Sequence, residues 1–121
     1  DLHPAAEENI LRTAALLRDE AEVLDTVVDT ALAGRTEIEL EHLRALPPAL
    51  ARLVVRRLAE AACGGLCPRA AERLPELLAL DRPGGGPAAL DVGDGARAVV
   101  HDGVLRFERT PPRPALRSAA P

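Results

Sequence analysis

The sequence predicts a small α+β domain that is mainly helical, with a long N-terminal helix, two shorter helices and a C-terminal three-stranded antiparallel β-meander. Three observations predict this class. Apolar residues recur at spacings of three and four along residues 4–33, as they do on one face of a helix. Shorter stretches with helical spacing follow Pro47-Pro48 and Pro68. Residues 89–108 instead alternate apolar and polar side chains around glycine-containing turns, which is typical of hairpins.

The first helix is predicted to begin at Pro4, which suits a first helical turn, and to end before Gly34. A continuous helix of about 30 residues would span about 45 Å, which is longer than the body of a small domain. We therefore expect part of this helix to pack against something outside this chain, and we assign residues 1–34 as a connector helix.

The middle of the chain contains the two shorter helices. A short extended or turn segment at residues 35–40 precedes the second helix, which is predicted over residues 49–62. The third helix is predicted between residues 68 and 80, and Pro75 inside it requires a kink or a late start. Residues 81–87, which are rich in glycine and proline, are predicted to be a linker.

The closing segment predicts a strand register. Asp102-Gly103 is a strong signal for a two-residue hairpin turn. The resulting apolar face pairs Val100 with Leu105 and Ala98 with Phe107. The opposite face holds Arg97, Val99, His101, Val104, Arg106 and Glu108, with Arg97 directly across from Glu108. A three-residue turn at residues 93–95 would add a third strand, with Leu90 opposite Ala98. Residues 35–109 thus form one predicted α+β domain, and residues 110–121 a predicted disordered tail.

Composition narrows the classes of function. The chain has 121 residues, is 47% apolar, and contains one aromatic residue, Phe107, so it offers only one aromatic face on which a base could stack. All 15 basic residues are arginines, and the net charge is −4. Residues 1–41 carry eleven acidic residues and three arginines, whereas residues 42–80 carry three acidic residues and six arginines. The second half of the chain therefore permits contact with phosphates, and the first half argues against it.

The sequence predicts a cytoplasmic location. No apolar run approaches the roughly 20 residues that span a bilayer, and no signal peptide opens the chain. Two cysteines are too few for the disulfide framework of a secreted domain.

No catalytic residue is predicted. The only serine is Ser118 in the tail, which excludes a Ser-His-Asp triad, and the paired carboxylates of the first helix are expected to be solvated. Gly84–Gly86 leaves a helix and enters a strand, so we interpret it as a connector rather than a phosphate-binding loop.

No metal site is predicted either. Cys63-Gly-Gly-Leu-Cys67 could supply only two of the four ligands of a tetrahedral site, and His3, His42 and His101 are scattered along the chain. We interpret the two cysteines as structural thiols at a helix–loop–helix joint.

Arginines form the best candidate binding surface. The cluster on the second helix, with two further arginines on the third, could contact phosphates, or could be ordinary surface charge held in local ion pairs. The predicted nucleic-acid-binding residues are Arg52, Arg56, Arg57, Arg97 and Arg106, and the arginines expected beside the cluster are Arg69 and Arg73.

Three segments resemble one enzyme family. Residues 3–25 resemble the helix that follows the catalytic domain of bacterial tRNA(Ile)-lysidine synthases, residues 43–58 the next element, and residues 96–108 the terminal hairpin. The resemblance covers about residues 3–109 in the same order. It implies that this chain corresponds to the C-terminal substrate-binding portion, with residues 35–109 as the substrate-binding domain.

The resemblance also implies a function. The parent enzyme would use ATP, with magnesium, to activate the wobble cytidine of tRNA(Ile), and lysine would then attack to give lysidine. The Ser-Gly-Gly-x-Asp-Ser loop that binds ATP in the family's N-terminal domain does not occur in this sequence. The chain is therefore expected to hold tRNA(Ile), to adjoin that ATP pyrophosphatase domain and to need no cofactor itself. The alternative is a helical protein-interaction module with no role in nucleic-acid binding.

Overall fold

The structure, a computed structural model, describes residues 4–84 and 86–111. The chain divides into two compact units, Asp1–Gly34 and Arg35–Pro121. Most of the predicted tail and Gly85 of the predicted linker lie outside the described residues, as do Asp1, Leu2 and His3.

The first unit is helix α1, Pro4–Leu32, and it confirms the predicted long helix. Ala33 and Gly34 have φ angles of 52° and 76°, so the backbone turns left-handed immediately after the helix. The Ala33 N–H still donates to the Asp29 carbonyl at 2.8 Å. Along the part of the chain that the structure describes, neither this helix nor any other is long and apolar enough to cross a membrane.

The second unit confirms the α+β class, and its described residues form four strands rather than the three predicted. Its helices are α2 (Leu40–Ala45), α3 (Pro48–Cys63), α4 (Pro68–Glu72) and α5 (Leu74–Leu78), and its strands are β1 (Glu37–Glu39), β2 (Ala88–Gly93), β3 (Ala96–His101) and β4 (Val104–Arg109). All neighbouring strands are antiparallel, in the order β1-β4-β3-β2.

The added strand is β1, which the sequence marks only as an extended or turn segment. It has three residues and one apolar side chain, Ile38, which pairs with Leu105. A strand this short shows no alternation that a pattern could detect.

The predicted third helix is divided into α4 and α5, which meet at Arg73. Pro75 lies in the first turn of α5. The missing proline N–H has no cost there, whereas inside one continuous helix it would remove a hydrogen bond.

The hairpin register is as predicted. Val100 pairs with Leu105, and Ala98 pairs with both Phe107 and Leu90. The turn between β2 and β3 differs, because Gly93 pairs with Ala96 and only Asp94-Gly95 remain in the turn. Both turn residues have positive φ, 55° and 80°, as a type I′ turn requires. An irregularity between Asp91 and Gly93 absorbs the extra residue, so the register beyond it is unchanged.

The core lies between the sheet and the helices. Helix α3 contacts β3 and β4, and it buries one side of its surface. The fully buried large side chains of this unit are Leu40, Leu43, Val54, Val55, Cys67, Leu77, Val92, Val100 and Leu105. This packing fixes which side of α3 and which face of the sheet remain available for binding.

Candidate nucleic-acid interface

The amphipathic pattern of α3 determines where its arginines lie. Ala51, Val54, Val55, Leu58 and Ala59 are buried, so the residues between them face outward. The outward-facing arginines are Arg52, which is exposed, and Arg56 and Arg57, which are half-buried. The three predicted residues of this helix therefore share the side of α3 that points away from the core.

A carboxylate holds part of this cluster. Glu60 Oε2 accepts a hydrogen bond from Arg56 Nε at 2.8 Å and another from the Cys67 N–H at 3.0 Å. Burial opposes ionisation of Glu60, but these two bonds and the charges of Arg56 and Arg57 outweigh it and lower the pKa of the carboxyl. Glu60 thus positions Arg56 and also ties the end of α3 to the start of α4.

Arg52 differs from its neighbours. Among residues 4–84 and 86–111 its guanidinium has no hydrogen-bond or carboxylate partner. A charge without a local partner keeps its full attraction for an external phosphate, whereas a paired arginine must first give up its carboxylate. Arg52 is therefore the predicted site residue most available to a ligand.

The two arginines expected beside the cluster are both engaged. Arg69 lies 3.9 Å from Asp94 and its backbone N–H donates to the same carboxylate at 3.2 Å. Arg73 donates to Glu76 at 2.7 Å. Because both side chains are engaged with carboxylates, they stabilise the segments around α4 and α5 and do not extend the arginine cluster of α3.

The arginines of the sheet lie elsewhere. Arg106 and Arg97 alternate with the buried residues of β4 and β3, so they project from the face of the sheet opposite Leu105 and Val100. Helix α3 contacts β3 and β4, and the side chains on the Leu105 face are buried, so α3 packs on that face. The structure therefore brings Arg52, Arg56 and Arg57 together on one side and Arg97 and Arg106 together on another.

One carboxylate serves both sheet arginines. Glu108 accepts from Arg97 through Nε at 2.9 Å and also through Nη2, and it accepts from Arg106 Nη1 at 3.0 Å. In the strand register Arg106 also lies opposite Glu37, and Arg97 lies opposite Asp91. The carboxylates balance the arginines on this face, which makes it a weaker phosphate surface than α3.

The shared carboxylate predicts a dependence on pH. Hydrogen bonds from Arg97 and Arg106 lower the pKa of Glu108 in the folded state. Ionised Glu108 therefore stabilises the fold above the unfolded-state pKa of a glutamate, and this contribution is lost as the pH falls through the lower folded-state value. We expect Glu108→Gln to show a smaller loss of stability than the wild type on acidification. Urea unfolding midpoints across an acidic pH series measure the difference.

The matched control for that prediction is Glu41→Gln on α2. It removes the same charge from a glutamate that has no ion pair among the described residues. If Glu41→Gln flattens the pH dependence as much as Glu108→Gln does, the ion pairs of Glu108 are not its source.

Arg109 is a candidate that sequence reasoning missed. It lies on the same face of β4 as Leu105 and Phe107, opposite Ala96. Its Nη2 is 3.2 Å from the point that a Cβ on Gly64 would occupy, so the guanidinium reaches the C-terminal end of α3. A cation is favoured there by the helix dipole. The alternation of β4 contained the signal, since it places Arg109 on the α3 side of the sheet.

The described residues contain no candidate metal site. Throughout the described part of the chain, no three His, Cys, Asp or Glu side chains group as metal ligands would. His42 and His101 are both exposed, and His3 lies outside the described residues.

Comparison with known proteins identifies relatives of this chain. No family model and no solved structure matches the chain. Curated proteins do match. The tRNA(Ile)-lysidine synthase of Thermobifida fusca is 36% identical over 111 residues, which cover 86% of this chain and 33% of that protein. This chain is homologous to the tRNA(Ile)-lysidine synthases.

Two further tRNA(Ile)-lysidine synthases support the relationship. The Leifsonia xyli protein is 31% identical over 115 residues, which cover 88% of this chain and 34% of that protein. The Mycobacterium tuberculosis protein is 33% identical over 114 residues, which cover 86% of this chain and 35% of that protein. The chain thus spans about a third of the length of these lysidine synthases, which is consistent with the C-terminal portion that the sequence resembles.

Proposed function

We propose that this chain is the tRNA-binding C-terminal module of a tRNA(Ile)-lysidine synthase. The observation that carries the proposal is the match to several such synthases along most of this chain. In this proposal the chain holds tRNA(Ile) in the cytoplasm while an ATP pyrophosphatase domain outside it ligates lysine to the wobble cytidine. ATP and magnesium belong to that domain, and the module itself supplies no catalytic residue.

The α3 surface is the proposed contact with tRNA. It has the exposed Arg52, which lacks a partner within the described part of the chain, the outward-facing Arg56 and Arg57, and Arg109 at its C-terminal end. Phosphate contacts by arginine position a protein on RNA without reading its sequence. This fits a module that holds the tRNA while another domain selects and modifies the base. Arg97 and Arg106 are secondary candidates because they share the Glu108 carboxylate and lie opposite two further acidic residues in the sheet, whereas the α3 group includes Arg52, which has no carboxylate partner among the described residues.

The proposal is tested by tRNA binding across a salt series. Fluorescence anisotropy of labelled tRNA(Ile) with the whole chain should show an affinity that falls as salt rises. Three phosphate contacts would give a slope of log K against log salt of about −2 to −3, since each contributes roughly 0.7 to 0.9. Absent binding, or binding that salt does not change, would favour the alternative function.

That alternative is a protein-interaction module, and one observation favours it. Helix α1 exposes Ile10, Leu17 and Leu24, which lie seven residues apart on one stripe and are 58%, 60% and 49% accessible. Apolar side chains exposed in a row mark surfaces that other proteins cover. Under the main proposal this stripe belongs to the connector and faces the rest of the synthase.

A further inference from the structure

The two cysteines lie at the joint between α3 and α4. Helix α3 ends at Cys63, Gly64 follows in the left-handed region with a φ of 74°, and Cys67 directly precedes α4. The turn brings the two sulfurs together, with Cys63 Sγ 2.7 Å from Cys67 Sγ. That separation is about 0.7 Å more than the roughly 2.05 Å of a disulfide bond, so only a small movement separates the thiols from bonding.

The two thiols have different surroundings. Cys67 is completely buried, whereas Cys63 is partly exposed. Burial raises the pKa of the Cys67 thiol to about 12, and its hydrogen bond with Cys63 adds to the effect. Around them the structure places main-chain carbonyls, those of Gly65 at 3.5 and 3.6 Å and of Asp94 at 3.9 Å. Among the described residues no third His, Cys, Asp or Glu groups with the two thiols as a metal ligand would, so we consider the pair as a dithiol.

We propose that Cys63 and Cys67 form a reversible intramolecular disulfide when the protein meets a low-molecular-weight disulfide. The Cys63 thiolate attacks one sulfur of the reagent, forms a mixed disulfide and releases one thiolate. Cys67 then attacks the Cys63 sulfur, its proton passes to solvent or to the departing thiolate, and the second thiol leaves. One protein dithiol and one reagent disulfide become one protein disulfide and two free thiols. This proposal does not depend on tRNA binding.

The location gives the bond a structural consequence. The ring from Cys63 to Cys67 is short, so the disulfide gains little from chain entropy and is open to reduction by ordinary thiols. The same joint contains the Glu60 carboxylate, which bonds both the Cys67 N–H and Arg56. The bond would therefore join α3 and α4 covalently beside the arginine cluster.

Mass spectrometry after treatment with oxidised glutathione tests the proposal. Trypsin should release residues 58–69 as one peptide, because Arg57 and Arg69 flank both cysteines. We expect this peptide to lose two hydrogen atoms, to carry no glutathione, and to return to its reduced mass with dithiothreitol. A peptide that stays reduced in excess oxidised glutathione, or that stops at the glutathione adduct, overturns the proposal.

Single variants test the order of attack. Cys67→Ser lacks the second thiol and should accumulate the glutathione adduct at Cys63. Cys63→Ser retains only the buried thiol and should react at least about tenfold more slowly. Cys67→Ala replaces Cys67→Ser if the hydroxyl impairs folding. Equal or faster reaction of Cys63→Ser, with circular dichroism showing a folded protein, would contradict attack by Cys63.

Discussion

Replacing Arg52 and Arg56 together by glutamate is expected to weaken tRNA binding by roughly 10- to 100-fold, which is about 1.4 to 2.8 kcal/mol. Each substitution removes a cation from the outward side of α3 and places an anion where a phosphate would lie. The slope of log K against log salt should become shallower by about 1.4 to 1.8, because two phosphate contacts are lost. Anisotropy titrations at several salt concentrations measure both quantities.

The matched control is the double change Arg12→Glu and Arg18→Glu on α1. It alters the net charge equally, but on a helix whose acidic side chains we exclude from the RNA surface. Comparable weakening by the two double variants would show a general effect of charge and would contradict the assignment of the α3 surface as the contact with tRNA. Because Arg56 also bonds Glu60, thermal unfolding should confirm that the α3 variant remains folded.

Leu105→Ala is expected to lower the free energy of unfolding by about 2 to 5 kcal/mol. Leu105 is fully buried in β4, where it pairs with Val100 on one side and Ile38 on the other. Truncation removes buried apolar surface and leaves a cavity that the sheet cannot close without moving both neighbouring strands. Urea denaturation monitored by circular dichroism gives the difference.

Leu66→Ala is the control for that experiment. It deletes the same atoms from a side chain that is 76% accessible, so its cost should stay within about 0.5 kcal/mol. A loss at Leu105 of less than about 1 kcal/mol, or one equal to that at Leu66, would contradict the packing described for the sheet.

The sequence predicts elements whose signals are local. The spacing of apolar residues predicts α1, and the Asp102-Gly103 turn fixes which residues of β3 and β4 face each other. Pro75 likewise marks the division of the third helix. Each depends on residues within a few positions of one another, so a period or a turn type is enough to find them.

The sequence does not show which charged and polar groups contact each other across elements. The bond between Cys67 and Glu60 joins two helices, and the pair Arg69–Asp94 joins α4 to the turn between β2 and β3. Their geometry depends on how the elements pack, which no period encodes. The five predicted arginines were therefore one set in the sequence, whereas the structure separates them into an α3 group and a sheet group. Which of them contacts tRNA stays a prediction.

Strand β1 constrains how this unit can be assembled on the ribosome. It precedes all the other strands, yet its hydrogen-bond partner is β4, so Ile38 finds Leu105 only after the helices and strands between them have been synthesised. Pairing over such a sequence separation closes late because the intervening loop must first be ordered. The pairing of β1 with β4 should therefore be the final step of sheet formation, after the local hairpins have formed.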